Sequence, residues 1–306
     1  MNAVATDTRR TSPDGFIIVA VLWILGALAA LVSIYAVYVM NTASAFTVNE
    51  DHLQSEALAS AAIELTAYQL TATPSQRPTH GNFNFRMAKA NIEVSFQSET
   101  ARIDLNAAPK ELLAGLFMSL DANPDSATNY ADQIVSWRAL PPKNQDTPGT
   151  VQATDAGNAS LAARFFHVNE LSAVPGVPPD LIERALPFVT VYSGRPQVNI
   201  FEAAPEVLAA LPGMTHELLK AVLALRQASG DGQALLQLLG PAASYATADG
   251  GNASRVTIRI AYDNGRRANS EVIILTFDNG SEPYSVLSWH DDLESSADDR
   301  PGAALL

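Results

Sequence analysis

The sequence predicts an α+β fold: a long N-terminal helix, an antiparallel sheet packed on the helix's soluble half, and a large all-α domain inserted into the sheet. Three observations predict it. Residues 16–40 are apolar almost without a break and carry no charge. Ile92, Val94 and Phe96 alternate with Glu93, Ser95 and Gln97, and strand-like runs at 255–262, 271–277 and 284–289 flank Asp263-Asn264-Gly265 and Asp278-Asn279-Gly280. That is the period, and those are the turns, of an antiparallel meander. Between the two strand regions, residues 107–239 are dominated by alanine and leucine, with prolines at helix starts and few β-branched runs outside 188–192.

The first 15 residues form a polar leader that holds Arg9 and Arg10 and ends in Gly15. The run that follows, starting at Phe16, exceeds the roughly 20 residues a helix needs to cross a bilayer, whereas the apolar region of a secretory signal is only about 7–15 residues long. A retained anchor with a cleavage point at its cytoplasmic edge is the stronger reading. The small residues of Met40-Asn41-Thr42-Ala43-Ser44-Ala45 keep cleavage at the far end as the alternative. The arginine pair lies before the anchor and the next charge beyond it is Glu50, so the N-terminus is expected in the cytoplasm and the remainder outside it.

Residues 42–73 contain neither proline nor glycine, and Leu58, Ala61, Leu65 and Tyr68 recur at helical spacing, so the anchor is expected to run on into a soluble amphipathic half. One helix from residue 16 to 73 would be about 85 Å long; two helices broken near Asn41-Thr42 are the alternative. Pro74 and Pro78 end the helix. The strand around Ile92 follows, and residues 101–105 are a second strand candidate. A loop at 141–160, rich in Pro, Gly, Asn and Thr, interrupts the helical block and is long enough to be mobile. The expected organisation is a leader (1–15), a transmembrane helix (16–40), its soluble continuation (41–73), a sheet (74–105 and 246–290), an inserted helical domain (106–245), and an acidic disordered tail (291–306).

The helical block repeats itself. Residues 171–186 and 208–223 align without gaps, placing Val174-Pro175-Gly176-Val177 before Leu181 and Leu211-Pro212-Gly213-Met214 before Leu218. A glycine there ends one helix in a left-handed turn and the next hydrophobic stretch starts another. The bland consequence is two short helices packed at an angle. The sharper one is a helix-hairpin-helix, whose hairpin amides bind nucleic-acid phosphate. Such a site wants cations, but Pro178, Pro179, Asp180, His216 and Glu217 follow the two hairpins, and only Arg184, Lys220 and Arg226 are close by. No nucleic acid is expected as a partner. A second echo sets Asn106-Ala107-Ala108-Pro109 against Glu202-Ala203-Ala204-Pro205; both are expected to start helices, with Asn106 as a cap.

Composition and motifs point away from catalysis. The formal net charge of −13 repels phosphate backbones, and the absence of cysteine rules out disulfides and thiolate metal sites. His216-Glu217 opens like a zinc-protease motif, but Lys220 stands where the second histidine belongs. No nucleophile elbow, phosphate-binding Gly-rich loop or Rossmann glycine pattern is present. No cofactor is assigned. Loop carboxylates in an exported acidic chain suit Ca²⁺, and Asp121, Asn123 and Asp125 alternate as a Ca²⁺ loop needs, but the same residues suit a helix cap at Pro124.

A short leader ending in glycine, an aromatic residue at the cut, a long uncharged helix and a sheet domain resemble the type IV pilin and pseudopilin class. The large helical insertion with Leu171-x-x-Val174-Pro175-Gly176-Val177, the passage Asn199-Ile200-x-x-Ala203-Ala204-Pro205-Glu206-Val207-Leu208, and Val21-Leu22-Trp23-Ile24-Leu25 in the anchor resemble the general secretion pathway protein K family, the large minor pseudopilins of type II secretion. The resemblance implies cleavage between Gly15 and Phe16 by a prepilin peptidase, methylation of the new N-terminus, a bacterial inner-membrane anchor with the head in the periplasm, and a place at the pseudopilus tip with minor pseudopilins I and J. Most pilins carry glutamate at the fifth residue after the cut; here that residue is Ala20, which suits a terminal position. Asp14 next to the cut departs from the usual positive leader. Close packing of the anchor against partner helices is expected through Gly26, Ala27, Ala29 and Ala30. Two rivals remain: a membrane-tethered DNA-uptake protein using the Pro-Gly hairpins, and an anchored hydrolase using His216 or Glu217.

Overall fold

The computed structural model describes residues 14–72, 77–139, 165–228, 230–277 and 282–292, without the side chains of 14–17 and 41–51. Most of the leader, Pro74, the loop at 141–160, the Asp278-Asn279-Gly280 turn and most of the expected tail fall outside the described residues. The chain divides into two compact units, residues 1–57 and 58–306. One helix, α1 (Asp14–Thr71), is assigned without a break at Asn41-Thr42.

In the first unit, Ile18–Met40 has a mean hydropathy of 2.5 and no buried residue; among the described residues it is the one helix long and apolar enough to cross a membrane. A helix that is apolar all round has no water-facing side and must be covered by lipid or by other protein. Within it the Ser33 hydroxyl is satisfied locally, Oγ donating to the Ala29 carbonyl at 2.9 Å.

The second unit contains a five-stranded antiparallel sheet. Its strands are β1 (His80–Met87), β2 (Ala90–Ser98), β7 (Ala253–Tyr262), β8 (Arg267–Thr276) and β9 (Tyr284–Asp292), in that spatial order. Strand β2 pairs directly with β7, so everything between them in sequence is an insertion between neighbouring strands. Ile92, Val94 and Phe96 point inward together with Val256, Ile258, Ile260, Val272 and Ile274, and α1 covers this face with Leu58, Ala59, Ala62, Ile63, Ala67 and Leu70. Tyr262 and Gly265 close the β7–β8 turn, with Gly265 at φ +87° and its N–H donating to the Tyr262 carbonyl.

Three expectations are corrected here. The stripe Leu58, Ala61, Leu65, Tyr68 is not the buried face of α1: Leu58 is buried, but Leu65 is 42% and Tyr68 71% exposed. The buried face is instead Leu58, Ala59, Ala62, Ile63, Ala67 and Leu70, in which the alanines allow the helix backbone to approach the sheet between the larger side chains. Residues 101–105 do not add a strand to the sheet. A 3₁₀ turn, Glu99–Ala101, leads instead into β3 (Ile103–Asp104), which pairs in parallel with β4 (Val189–Thr190) of the insertion. Asp291 and Asp292 are not tail but the end of β9, paired with Ser270 and Asn269.

The insertion has its own core, built on Leu112, Leu113, Leu116, Phe117, Ile134, Leu171, Ile200 and Leu208. Its helices are α2 (Lys110–Ser119), α3 (Pro124–Arg138), α4 (Pro179–Ala185), α5 (Pro205–Ala209), α6 (His216–Ala228) and α7 (Gly232–Leu239). A second parallel pair, β5 (Val198–Asn199) with β6 (Ala246–Thr247), joins β3–β4 in an otherwise helical block. Each pair opens one half of an internal duplication. Asp104 Oδ1 accepts the N–H groups of Asn106 and Ala107, and Asn199 Oδ1 those of Phe201 and Glu202. Arg138, ending α3, donates to the carbonyls of Leu105 and Ala108, and Arg226 in the last turn of α6 to those of Ile200 and Ala203. The two halves are thus related one register away from the Asn106/Glu202 alignment that the sequence suggests. Asn106 is not the cap of α2; it clamps both backbone groups of Phe165.

Candidate assembly surfaces

Along the apolar helix, Val19, Leu22, Trp23, Gly26 and Ala27 line a shallow groove of about 440 Å³. These positions follow the i, i+3, i+4, i+7, i+8 progression of one helix face, and Ala30 continues it. Gly26 has nothing within 4 Å of where a Cβ would stand, so its lack of a side chain answers to no contact within the chain. Gly15 and Phe16 lie in the first turn of α1, and Ala20 follows one turn later. No carboxylate side chain occurs between Gly15 and Asn49.

The two hairpin glycines require their residue type. Gly176 adopts φ +86° and Gly213 φ +78°, with open space around both, so conformation rather than room excludes a side chain. Pro175-Gly176 joins a 3₁₀ turn, Val168–Ala173, to α4, and Pro212-Gly213 joins α5 to α6. The cations that would have to support a phosphate here are turned to other tasks. Arg184 donates to the Leu120 carbonyl at 2.9 Å and pairs with Asp180 and Asp121, and Arg226 holds the carbonyls beside β5. Of the three, Lys220 alone makes no such contact. His216 and Glu217 lie exposed on the first turn of α6, with no third ligand or nucleophile joined to them. Asn123 caps α3 by accepting the Ser126 N–H at 2.9 Å, Asp121 has φ +68°, and Asp125 is in the first turn; the three form a helix start. Among the described residues no group of three or more His, Asp or Glu side chains is gathered to hold a metal ion.

The insertion is fixed to the sheet by two buried acids that the sequence did not single out. Glu99, 0% exposed, accepts from Thr190 Oγ1, from Arg255 Nε at 2.8 Å and from Arg102 Nη1 at 3.3 Å, and Arg255 reaches across to Glu271 as well. Burial pulls the Arg255 guanidinium down, but bonding and charge from Glu99 and Glu271 outweigh it and hold the group above its usual value. For Arg102 burial wins over Glu99; Arg255 adds to the lowering and Glu271 opposes it. The second acid, Glu202, accepts from Thr79 Oγ1 at 2.7 Å, lies 2.7 Å from His80 Nδ1, and offers its backbone carbonyl to Gln97 Nε2. Their partners lie up to 156 residues away in sequence, so no local pattern marks either acid. A third link ties the sheet to α1, Tyr284 Oη donating to Glu64 Oε1 at 2.9 Å. Burial, and then the bond to Glu64 and its charge, push the Tyr284 phenol up to about 12.

Comparison with known proteins gives this architecture its relatives. Residues 81–194 match the family model described as type II secretion system (T2SS), protein K. No curated relative matches the chain. Five solved chains match, among them one from the crystal structure of the GspK-GspI-GspJ complex of the enterotoxigenic Escherichia coli type 2 secretion system. The identity is 19%, the TM-score 0.53, and the match covers 80% of this chain and 98% of the other. That likeness is one of fold. The chain is similar to the type II secretion system protein K family over residues 81–194, and to a GspK-GspI-GspJ complex chain in fold.

Proposed function

We propose that this chain is a minor pseudopilin that occupies the tip of the type II secretion pseudopilus, initiating or capping its assembly for protein export. The observation that carries the reading is Ala20. A new N-terminal amine formed by cleavage before Phe16 would meet no carboxylate from its own kind in the apolar filament core. An uncompensated charge there costs several kcal/mol, so the chain is ill suited to repeat along a shaft and well suited to one terminal place. The bulky insertion supports the same reading, since a head so enlarged hinders stacking of a further subunit above it.

In this reading a prepilin peptidase cuts between Gly15 and Phe16 and the amine is methylated. The helix Ile18–Met40 stays in the bacterial inner membrane with the leader side in the cytoplasm and the head in the periplasm. The solved relative is in complex with GspI and GspJ, and minor pseudopilins I and J are the partners proposed here, meeting the anchor at Gly26, Ala27 and Ala30 by close packing. The protein is structural, not catalytic. Gold labelling of the head on extended pseudopili tests the placement: one label at one end is expected, and labels repeated down the shaft would overturn it.

A further inference from the structure

Strand β1 is an edge of the five-stranded sheet, paired on one side alone, with β2. The turn beside it fixes which of its backbone groups face the open side. Ala88 and Lys89, with φ of 48° and 61°, close a tight hairpin, so Met87 and Ala90 exchange both of their hydrogen bonds. Antiparallel pairs alternate, and Phe85, Phe83 and Gly81 therefore turn their N–H and C=O groups to β2 as well. The Thr79 carbonyl, which accepts the Ser98 N–H at 2.7 Å, keeps the same phase. The even-numbered residues His80, Asn82, Asn84 and Arg86 turn their backbone groups outward, and among the described residues nothing bonds to those groups.

The two edges of the sheet are unlike. Strand β9 has a register shift opposite Ile273 and Ile274, which leaves Leu287 out of the ladder, and it ends in Asp291-Asp292. Bulges and charges of this kind blunt an edge against further pairing. Strand β1 pairs regularly over its whole length and contains neither proline nor lysine. On its α1 side Phe83 and Phe85 stack with ring centroids 6.2 Å apart, and both are only half-buried where the core ends. On its other side the Asn82 and Asn84 amides are exposed and make no hydrogen bond among the described residues.

We propose that β1 receives an extended strand of another protein, one whose side chains alternate apolar and polar. The added backbone pairs with the outward groups of Asn82, Asn84 and Arg86. Its apolar side chains cover Phe83 and Phe85 and prolong the core, while its polar ones lie beside the two asparagine amides. The outward N–H and C=O groups select this occupant: a helix has no free ladder to offer them, and a lipid surface has no amides. The inference goes beyond the tip placement and does not rest on it.

The test uses the full-length chain in detergent and a fluorescent peptide copying residues 90–98, whose Ile92, Val94 and Phe96 have the required alternation. Anisotropy should show binding below about 1 mM. Joined antiparallel with its apolar residues over Phe83 and Phe85, the peptide turns the Ser95 N–H to the edge and the Val94 N–H away from it. N-methylation at Ser95 should weaken binding about tenfold and N-methylation at Val94 should leave it unchanged. The two peptides are equally apolar, so detergent affects both alike. Asn84→Pro removes one outward N–H and no ladder bond, a position where an edge strand tolerates proline; this chain should keep its Tm and bind the unmethylated peptide about tenfold more weakly. The methylated pair decides the question even where the variant is less stable. No binding at about 1 mM, equal effects of the two methylations, or full binding by a folded Asn84→Pro chain would overturn the proposal. A dimer of the chain itself, seen by light scattering and dispersed by Asn84→Pro, would also overturn it, since the edge would then belong to a second copy.

Discussion

Replacing Glu99 by glutamine tests the joint between the inserted domain and the sheet. The carboxylate is fully buried, and the Arg102 and Arg255 side chains beside it are only 20% and 18% exposed. Glu99→Gln keeps the shape but removes the charge, so two guanidinium groups stay largely buried with Glu271 as their remaining acid, itself 45% exposed and bonded to Arg255 alone. Thr190 Oγ1, which donates to Glu99, would compete with the two guanidinium groups for a single accepting oxygen where the carboxylate offers two. Breaking a buried pair by removing one partner costs about 3–5 kcal/mol, and the surviving Glu271 contact places this case near the lower end. For a folded unit of about 200 residues, about 3 kcal/mol lowers Tm by roughly 6–12 °C. Thermal unfolding of the full-length chain in detergent, followed by near-UV circular dichroism, reads the shift. A double-mutant cycle with Arg255→Met then isolates the pair, because the combined loss should be smaller than the sum of the single losses. A fall of less than about 2 °C for Glu99→Gln, or strict additivity in the cycle, would refute the reasoning.

Gly115→Ala sets a Cβ 1.9 Å from the Ala210 carbonyl oxygen, where α2 and α5 meet, and should cost about 1–3 kcal/mol by overpacking, visible as a lower Tm. Ala30→Leu, on an open helix surface, should leave Tm unchanged but weaken co-purification with partner pseudopilins and reduce secretion; normal secretion would contradict the packing face. Gly213→Ala has room for its methyl but not the backbone freedom at φ +78°, and a loss of about 1–2 kcal/mol is expected in denaturant unfolding. The raised Tyr284 phenol favours the protonated, bonded form in the folded protein, so its stabilising contribution is complete below the ordinary tyrosine value near 10 and is lost as pH climbs through about 12. Tyr284→Phe should remove a tyrosine transition near pH 12 from the ultraviolet absorbance titration, and an unchanged titration would contradict the assignment.

How much of this was legible in the sequence depends on how local each signal is. Ile92, Val94 and Phe96 declare a half-buried strand because alternation is a property of neighbours, and all three are buried. Strand β1 was missed: Phe83 and Phe85 alternate too, but Gly81, Asn82 and Asn84 dilute the strand propensity, and Gly81 is there to clear the Phe96 ring. The stripe on α1 was read in the wrong phase, because leucine and tyrosine attract attention while alanine, which the sheet in fact packs against, does not. In the insertion the prolines and Pro-Gly pairs gave the helix starts. The duplication itself is written in hydrogen bonds, Arg138 to Leu105 and Ala108 against Arg226 to Ile200 and Ala203, and these unite residues too far apart for a pattern to show. Glu99 and Glu202 look like ordinary surface acids until the fold brings their partners to them.

The account depends most on a pilin-type helix that loses its leader and stays in the membrane. N-terminal sequencing, with intact mass, of the protein extracted from membranes of secreting cells measures this directly. The expected result is a chain that begins at Phe16 with a methylated amine and retains Ile18–Met40. A functioning membrane-bound chain that begins at Met1, or one cut after residue 40, would contradict it.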